Sequence, residues 1–230
     1  MLVYHGSKEI IPKPRYNYGN AHNDYGKGFY CTEHIELARE WACQEPRDGF
    51  VNQYELATED LRILRLTQPD YHILNWLAIL LENRTFELKG RIAFSAKEYV
   101  LREFLPEYRS YDVIIGYRAD DSYFSFARDF INNAISLQQL GKAMYLGSLG
   151  EQVVPISRKA FSALRYLGHE YVDGAAWYPK YTARDTAARN AYAEESSKEI
   201  GLEEITVLDI LRRRMKNEDI FTVLQQSLSE

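Results

Sequence analysis

Cysteine is almost missing from this chain: Cys31 and Cys43 are the two in 230 residues. That excludes a disulfide framework, and neither thiol sits in the Cys/His cluster that a zinc site requires. A helix over 32–45 puts them near opposite ends, too far apart to bridge. The expectation is two buried thiols in a reducing compartment. Long hydrophobic runs are missing too. The longest apolar patch, Trp76-Leu77-Ala78-Ile79-Leu80-Leu81, is far short of the roughly 20 residues of a membrane span. The opening Met1-Leu2-Val3-Tyr4-His5-Gly6-Ser7 lacks a basic segment followed by an apolar one, so no secretory signal is read there. A cytoplasmic chain without a membrane partner is expected. Positive charge is not in excess: 28 Lys and Arg face 33 Asp and Glu, for a net charge of −5. A surface that is wholly a nucleic-acid footprint is excluded, whereas a local basic groove is not. Internal repeats and low-complexity tracts are absent.

The rest of the composition is that of a globular chain, with 46% hydrophobic and 27% charged residues. The length suits one generous domain, or one domain with an extension. Aromatics reach 13%, with 18 Tyr. Tyrosine suits both half-buried clefts and an aromatic core.

Leu2–His5 reads as a short strand ended by Gly6-Ser7, and the Pro-, Gly- and Asn-rich stretch 11–27 reads as a loop. Loops of that length in compact domains are often functional. Gly28–Cys31 reads as a strand and Thr32 as the N-cap of a helix with Glu33 and Glu36 in its first turn. Strands are expected at 50–56, 61–66, 111–117 and 152–156, with Pro155 implying an edge position or a bulge. Helices are expected at 69–83 with Pro69 in the first turn, at 95–105 opened by Ser95, and at 122–139. Beyond Ser157 the pattern is mostly helical: a capped segment 157–167, then 182–199 and 203–227. Strands mixed with helices, without regular alternation, give an α+β fold class. The domain reading is 1–165 as the catalytic domain and 166–230 as a mainly helical C-terminal extension.

Three short elements stand out: Tyr4-His5-Gly6-Ser7, Tyr25-Gly26-Lys27-Gly28-Phe29-Tyr30, and Gly150-Glu151-Gln152-Val153-Val154. In order and local sequence they resemble the ADP-ribosyltransferase superfamily, in its diphtheria-toxin and poly(ADP-ribose) polymerase branch. The first two elements match that branch's first and second motifs. Trp41, eleven residues after Tyr30, falls where the branch has a second stacking aromatic. The run Asp24–Tyr30, followed by Asp112-Val113-Ile114-Ile115-Gly116 and Ala119-Asp120-Asp121, also resembles an uncharacterised bacterial family. The resemblance covers roughly residues 1–165.

It implies a split antiparallel sheet with surrounding helices, and NAD as co-substrate. The implied NAD-binding set is His5, Gly6, Ser7, Gly28, Tyr30, Thr32, Trp41 and Arg118. In that reading His5 bonds the adenosine ribose, and Gly6 faces the nicotinamide carboxamide because it has no Cβ in the way. Ser7 adds a hydroxyl, and Tyr30 and Trp41 sandwich the cationic ring. Arg118 can meet the pyrophosphate. No metal is implied. The reaction is cleavage of the nicotinamide–ribose bond through an oxocarbenium-like transition state, which a carboxylate hydrogen-bonded to a ribose hydroxyl stabilises; the superfamily usually places a Glu for this at the start of a late strand. The implied catalytic residues are His5, Tyr30 and one of the neighbours Glu151 and Gln152. Polymerase-like alignment selects Glu151 and toxin-like alignment selects Gln152. Alternation along a strand lets one of the two face the cleft.

Asp120 and Asp121 are read as capping the helix that follows, with Asp121 at its N-terminus, in preference to binding a metal or an acceptor. Arg212-Arg213-Arg214 reads as a solvated helix face. The leading expectation is a mono-ADP-ribosyltransferase acting on a protein, RNA or DNA acceptor, in a bacterial toxin–antitoxin or phage-defence setting with an antitoxin partner. Two rivals stand beside it: a non-catalytic NAD- or ADP-ribose-binding module, and an interaction protein using its C-terminal helices.

Overall fold

A computed structural model describes residues 1–118, 121–143 and 150–227. It is a mixed α+β structure with two three-stranded sheets among the described residues. The chain divides into two compact units, each assembled from three segments. The first comprises 1–65, 107–118 and 147–187, and the second 66–106, 119–146 and 188–230.

In the first unit β1 (Leu2–Ser7), β2 (Gly49–Leu56) and β6 (Leu164–Val172) form an antiparallel sheet with β2 in the middle. The second sheet has β4 (Val113–Tyr117) between β3 (Ile63–Arg65), which runs parallel to it, and β5 (Glu151–Pro155), which runs antiparallel. The segment 29–32 joins the two. The Tyr4 and Thr32 amides donate to each other's carbonyls at 2.8 and 2.9 Å, and Cys31 and Val153 do the same at 2.9 and 2.8 Å. Sequence reading made 28–31 a full strand; instead Cys31 and Thr32 form isolated bridges, one to each sheet. Val3, Cys31, Tyr54, Leu56, Val113, Ile115 and Val153 are fully buried in the core that fills this unit.

Helix α1 (Ile35–Ala42) lies on β1 and β2. Gly6 and Gly49 allow that approach. A Cβ on Gly6 would stand 2.0 Å from the Ala38 carbonyl oxygen, and one on Gly49 would stand 2.3 Å from that of Ala42. The helix is shorter than expected. Its cap position is His34, while Thr32 accepts the His34 amide at 3.2 Å through Oγ1 and commits its backbone to Tyr4. Cys31 therefore precedes the helix and Cys43 follows it, and both are buried and free.

The largest departure lies after Ser157. Ser157 does cap a helix, accepting the Ala160 amide at 3.0 Å, but α6 stops at Ser162 (Arg158–Ser162). The expected continuation to Leu167 is instead the start of β6. Its exposed positions fall at every second residue, which is a strand's period, and Gly168 disfavours helix. Gln53 pairs with Gly168 and Tyr54 with Tyr166, so Leu167 is the extra residue of a bulge. Pro155 ends β5 with no bulge in the β4–β5 register, and its carbonyl accepts the Phe29 amide at 3.0 Å.

The second unit is helical. Helix α2 (Ile73–Asn83) is buried along Ile73–Leu81, as a helix apolar all round must be. It starts at His72, not at Pro69: the His72 amide donates to Asn75 Oδ1 at 2.8 Å. Helix α3 (Gly90–Phe104) starts five residues before Ser95, the expected opening. The stretch 122–139 is two helices, α4 (Asp121–Ile131) and α5 (Leu137–Ala143). The break falls at Asn133, which takes the left-handed conformation at φ 62°. Helix α7 (Gly174–Ser196) carries the chain from the first unit into the second. The expected helix 203–227 is α8 (Val207–Arg213) and α9 (Asn217–Ser227), separated by Arg214 at φ 53°.

Candidate functional site

The three elements singled out in sequence all lie in the first unit. His5 sits on β1, half-buried, and its Nδ1 is 2.7 Å from the Tyr30 carbonyl oxygen. A carbonyl can only accept, so Nδ1 carries the proton. Loss of hydration holds the imidazole below its ordinary pKa. The ring is thus neutral at neutral pH, with Nε2 as an acceptor. The ring also packs on Phe29, 4.3 Å between centroids.

Tyr30 is bound into its own turn. Its hydroxyl donates to the Gly26 carbonyl at 2.7 Å and accepts the Tyr25 amide at 3.0 Å. Gly26 takes φ 72°, which glycine adopts without cost. The Tyr25 hydroxyl donates to the Tyr117 carbonyl at 2.6 Å, tying this turn to the end of β4.

Trp41 is in contact with Gly6: a Cβ on Gly6 would stand 2.9 Å from the Trp41 Cβ. The buried Arg118 guanidinium lies 4.8 Å from the centroid of the Trp41 ring. The indole Nε1 is buried and donates to nothing. Gly6, Trp41 and Arg118 are therefore in mutual contact through Trp41, and His5 is bonded to Tyr30. The bareness of Gly6 serves the approach of α1, and that of Gly28 serves contact with the Val154 side chain and the Pro155 carbonyl. Helix and strand packing thus account for both glycines, rather than room for a ligand. Thr32 is fully buried, and its observed contacts are structural.

The β5 neighbours differ in burial. Gln152 lies opposite Gly116, 6% exposed, with Oε1 buried and unpartnered. Glu151 lies opposite Tyr117 and is half-buried. The preceding Gly150 is close to Leu37 and His34, the residues that open α1. Asp120 lies outside the described residues, and Asp121 begins α4. Among the described residues no group of three or more His, Cys, Asp and Glu can hold a metal, and no helix is long and apolar enough to cross a membrane.

Sequence reading missed Asn52, which faces His5 across β1 and β2 and is fully buried. Its Nδ2 donates to Ser7 Oγ at 3.1 Å and to the Glu9 carbonyl at 3.0 Å, and its Oδ1 accepts the Ile11 amide at 2.7 Å. It fixes the end of β1 and the root of the long loop. The available signal was an Asn between Val51 and Tyr54 in a strand of core residues, a placement a polar group tolerates only when satisfied. Also missed was Arg184, whose Nε donates to the buried Glu40 carboxylate of α1 at 2.5 Å.

A family model described as "Protein of unknown function (DUF3990)" matches residues 1–166. The chain belongs to this family. The DUF3990 region contains every residue named above for the site except Arg184, and ends inside β6. No curated protein and no solved structure matches the chain.

Proposed function

We propose that this protein binds NAD at the His5–Tyr30–Trp41 cluster and acts as a mono-ADP-ribosyltransferase on an ADP-ribosyltransferase-like split sheet. The observation that carries the reading is the convergence on β1 and α1 of residues far apart in the chain. Gly6 touches Trp41, Trp41 carries Arg118 on its face, and His5 is fixed as a neutral tautomer on Tyr30. The joining of the two sheets through 29–32 supports the split-sheet part.

In this reading the ring of nicotinamide stacks on Tyr30 and Trp41, where a cationic pyridinium gains most. Neutral His5 accepts a ribose hydroxyl, and Arg118 is the cation for the pyrophosphate. The bond between ribose C1′ and the nicotinamide nitrogen breaks, and nicotinamide leaves neutral with the bonding pair. The acceptor's nucleophile then bonds C1′ and gives up its proton. Gln152 is the polar group at the ribose, since it combines burial with an unused acceptor oxygen. Calorimetric titration with NAD tests the reading. We expect saturable binding, weakened about 5- to 30-fold by Tyr30→Ala, the worth of a desolvated aromatic–cation contact. Absence of binding by the wild-type protein removes the proposal.

One observation favours a second reading, a non-catalytic NAD- or ADP-ribose-binding module. The buried neighbour on β5 is an amide, whereas the resemblance implies a carboxylate. Tight NAD binding without nicotinamide release, in cell lysate as well as in buffer, is the outcome that selects it.

A further inference from the structure

The loop that leaves β1 exposes more positive than negative charge. Lys8, Lys13, Arg15 and Lys27 are exposed, and so are Arg158 and Lys159 at the start of α6. The loop's two acids are Glu9, which is exposed, and Asp24, which is buried. This cationic stretch belongs to a chain with a net charge of −5.

Two exposed tyrosines stand in the same stretch. Tyr16 is 40% exposed and Tyr18 is 77% exposed, the latter far beyond what packing asks of an aromatic. Each has a guanidinium over its ring: Arg158 lies 4.5 Å from the Tyr16 centroid, and Arg15 lies 5.2 Å from that of Tyr18. Asn17, between them, takes the left-handed conformation at φ 63°, and the Tyr18 amide donates to the Arg15 carbonyl at 3.4 Å. The two rings thus stand at the tip of a tight turn. The root of the loop is fixed at Ile11, whose amide is bonded to Asn52 and whose carbonyl accepts the Tyr54 hydroxyl. Tyr16 meets Phe161 edge-on at 5.5 Å; Phe161 is 6.4 Å from Phe29, and Phe29 is 4.3 Å from His5. A continuous row of rings therefore runs from the exposed turn to the candidate site.

We infer that this Tyr16–Tyr18 turn, with Arg15, Lys13 and Arg158, is a docking surface for single-stranded nucleic acid. Exposed rings offer faces on which unpaired bases stack, and the cations beside them follow the phosphate backbone. Neither feature alone distinguishes such a strand; their interleaving does. A duplex hides its base faces, and an acidic peptide has none. Where the NAD reading holds, the strand bound here is the acceptor.

The test is fluorescence anisotropy with labelled single strands of ~12 nucleotides, run without NAD so that failure of the NAD reading leaves it unaffected. RNA and DNA strands form separate arms, with duplex DNA and polyglutamate as competitors. The expected result is single-strand binding at low salt that weakens as salt is raised and resists both competitors. Tyr16→Ala/Tyr18→Ala lowers affinity about 10-fold or more at unchanged thermal stability, in line with the loss of base stacking. Preference for RNA or for DNA identifies the strand's source and upholds the inference either way. No binding of single strands, equal binding of duplex or polyglutamate, or indifference to the tyrosine substitutions overturns it.

Discussion

An amide oxygen buried without a donor costs a fold about 1–3 kcal/mol, and Gln152 holds one. In a core that serves packing alone, an apolar residue of the same size does better. Such an orphan belongs where a ligand supplies the donor, and a ribose hydroxyl is one. Glu151, its neighbour, is less buried and faces the other way along β5. The expected outcome is that Gln152→Leu slows nicotinamide release ~10²-fold or more, the scale of one lost transition-state contact. It does so without lowering the melting temperature, because the unpartnered oxygen leaves with the amide. Glu151→Ala changes release only a few-fold. Release is measured at matched NAD occupancy, and equal effects of the two substitutions refute the assignment of Gln152.

At the scale of elements, much was legible in the sequence. Val113–Tyr117 and Glu151–Pro155 are strands where runs of β-branched residues put them, and Ser157 caps a helix as its chemistry suggests. The misreadings share a cause: local pattern was overruled by what the tertiary structure needed. Leu164–Val172 became a strand because β2 pairs on both edges and its residues alternate. Thr32 looked like an N-cap, yet its backbone was already committed to Tyr4. Of the candidate site, His5, Tyr30 and Trp41 were picked out as motif residues. Asn52 and Arg184 were not, because their partners lie 41 or more residues away. Gly6 illustrates the difference between identity and reason. It was singled out as a ligand-facing glycine, and its missing Cβ makes room for α1. Gly6→Ala therefore forces helix and strand apart, because a Cβ cannot stand 2.0 Å from a carbonyl oxygen. Overpacking of this kind costs ~1–3 kcal/mol. It also moves Trp41, so chemical denaturation should show the loss of stability and calorimetry should show weaker NAD binding. A fully stable Gly6→Ala protein contradicts the packing described for α1.

At the scale of the molecule, the two units hold different titrating groups, and His72, which titrates in acid, lies in the helical unit. His72 caps α2 and is 6% exposed, packed against Phe104 and Phe221. Its Nε2 is 2.8 Å from Asn217 Oδ1, an acceptor, so Nε2 carries the proton and Nδ1 is the bare nitrogen, buried without a partner. Burial lowers its pKa from 6.5 to about 4. Between those values the unfolded chain binds a proton that the folded chain does not. Folding is therefore most favoured above the unfolded value, and stability falls as pH drops from about 6.5 towards 4. The lowered pKa corresponds to a loss on the order of 3 kcal/mol at the acid end of the window. His5 shifts in the same direction in the first unit, so total stability alone does not separate them. The separating measurement is hydrogen exchange at pH 7 and pH 5, corrected for intrinsic rates, on the wild-type protein and on His72→Gln. Acid should reduce protection of α2, α3 and α9 in the wild type. In His72→Gln that pH dependence should largely vanish, whatever the variant's absolute stability. If the variant keeps the wild-type acid response in those helices, His72 is not the group that confers it.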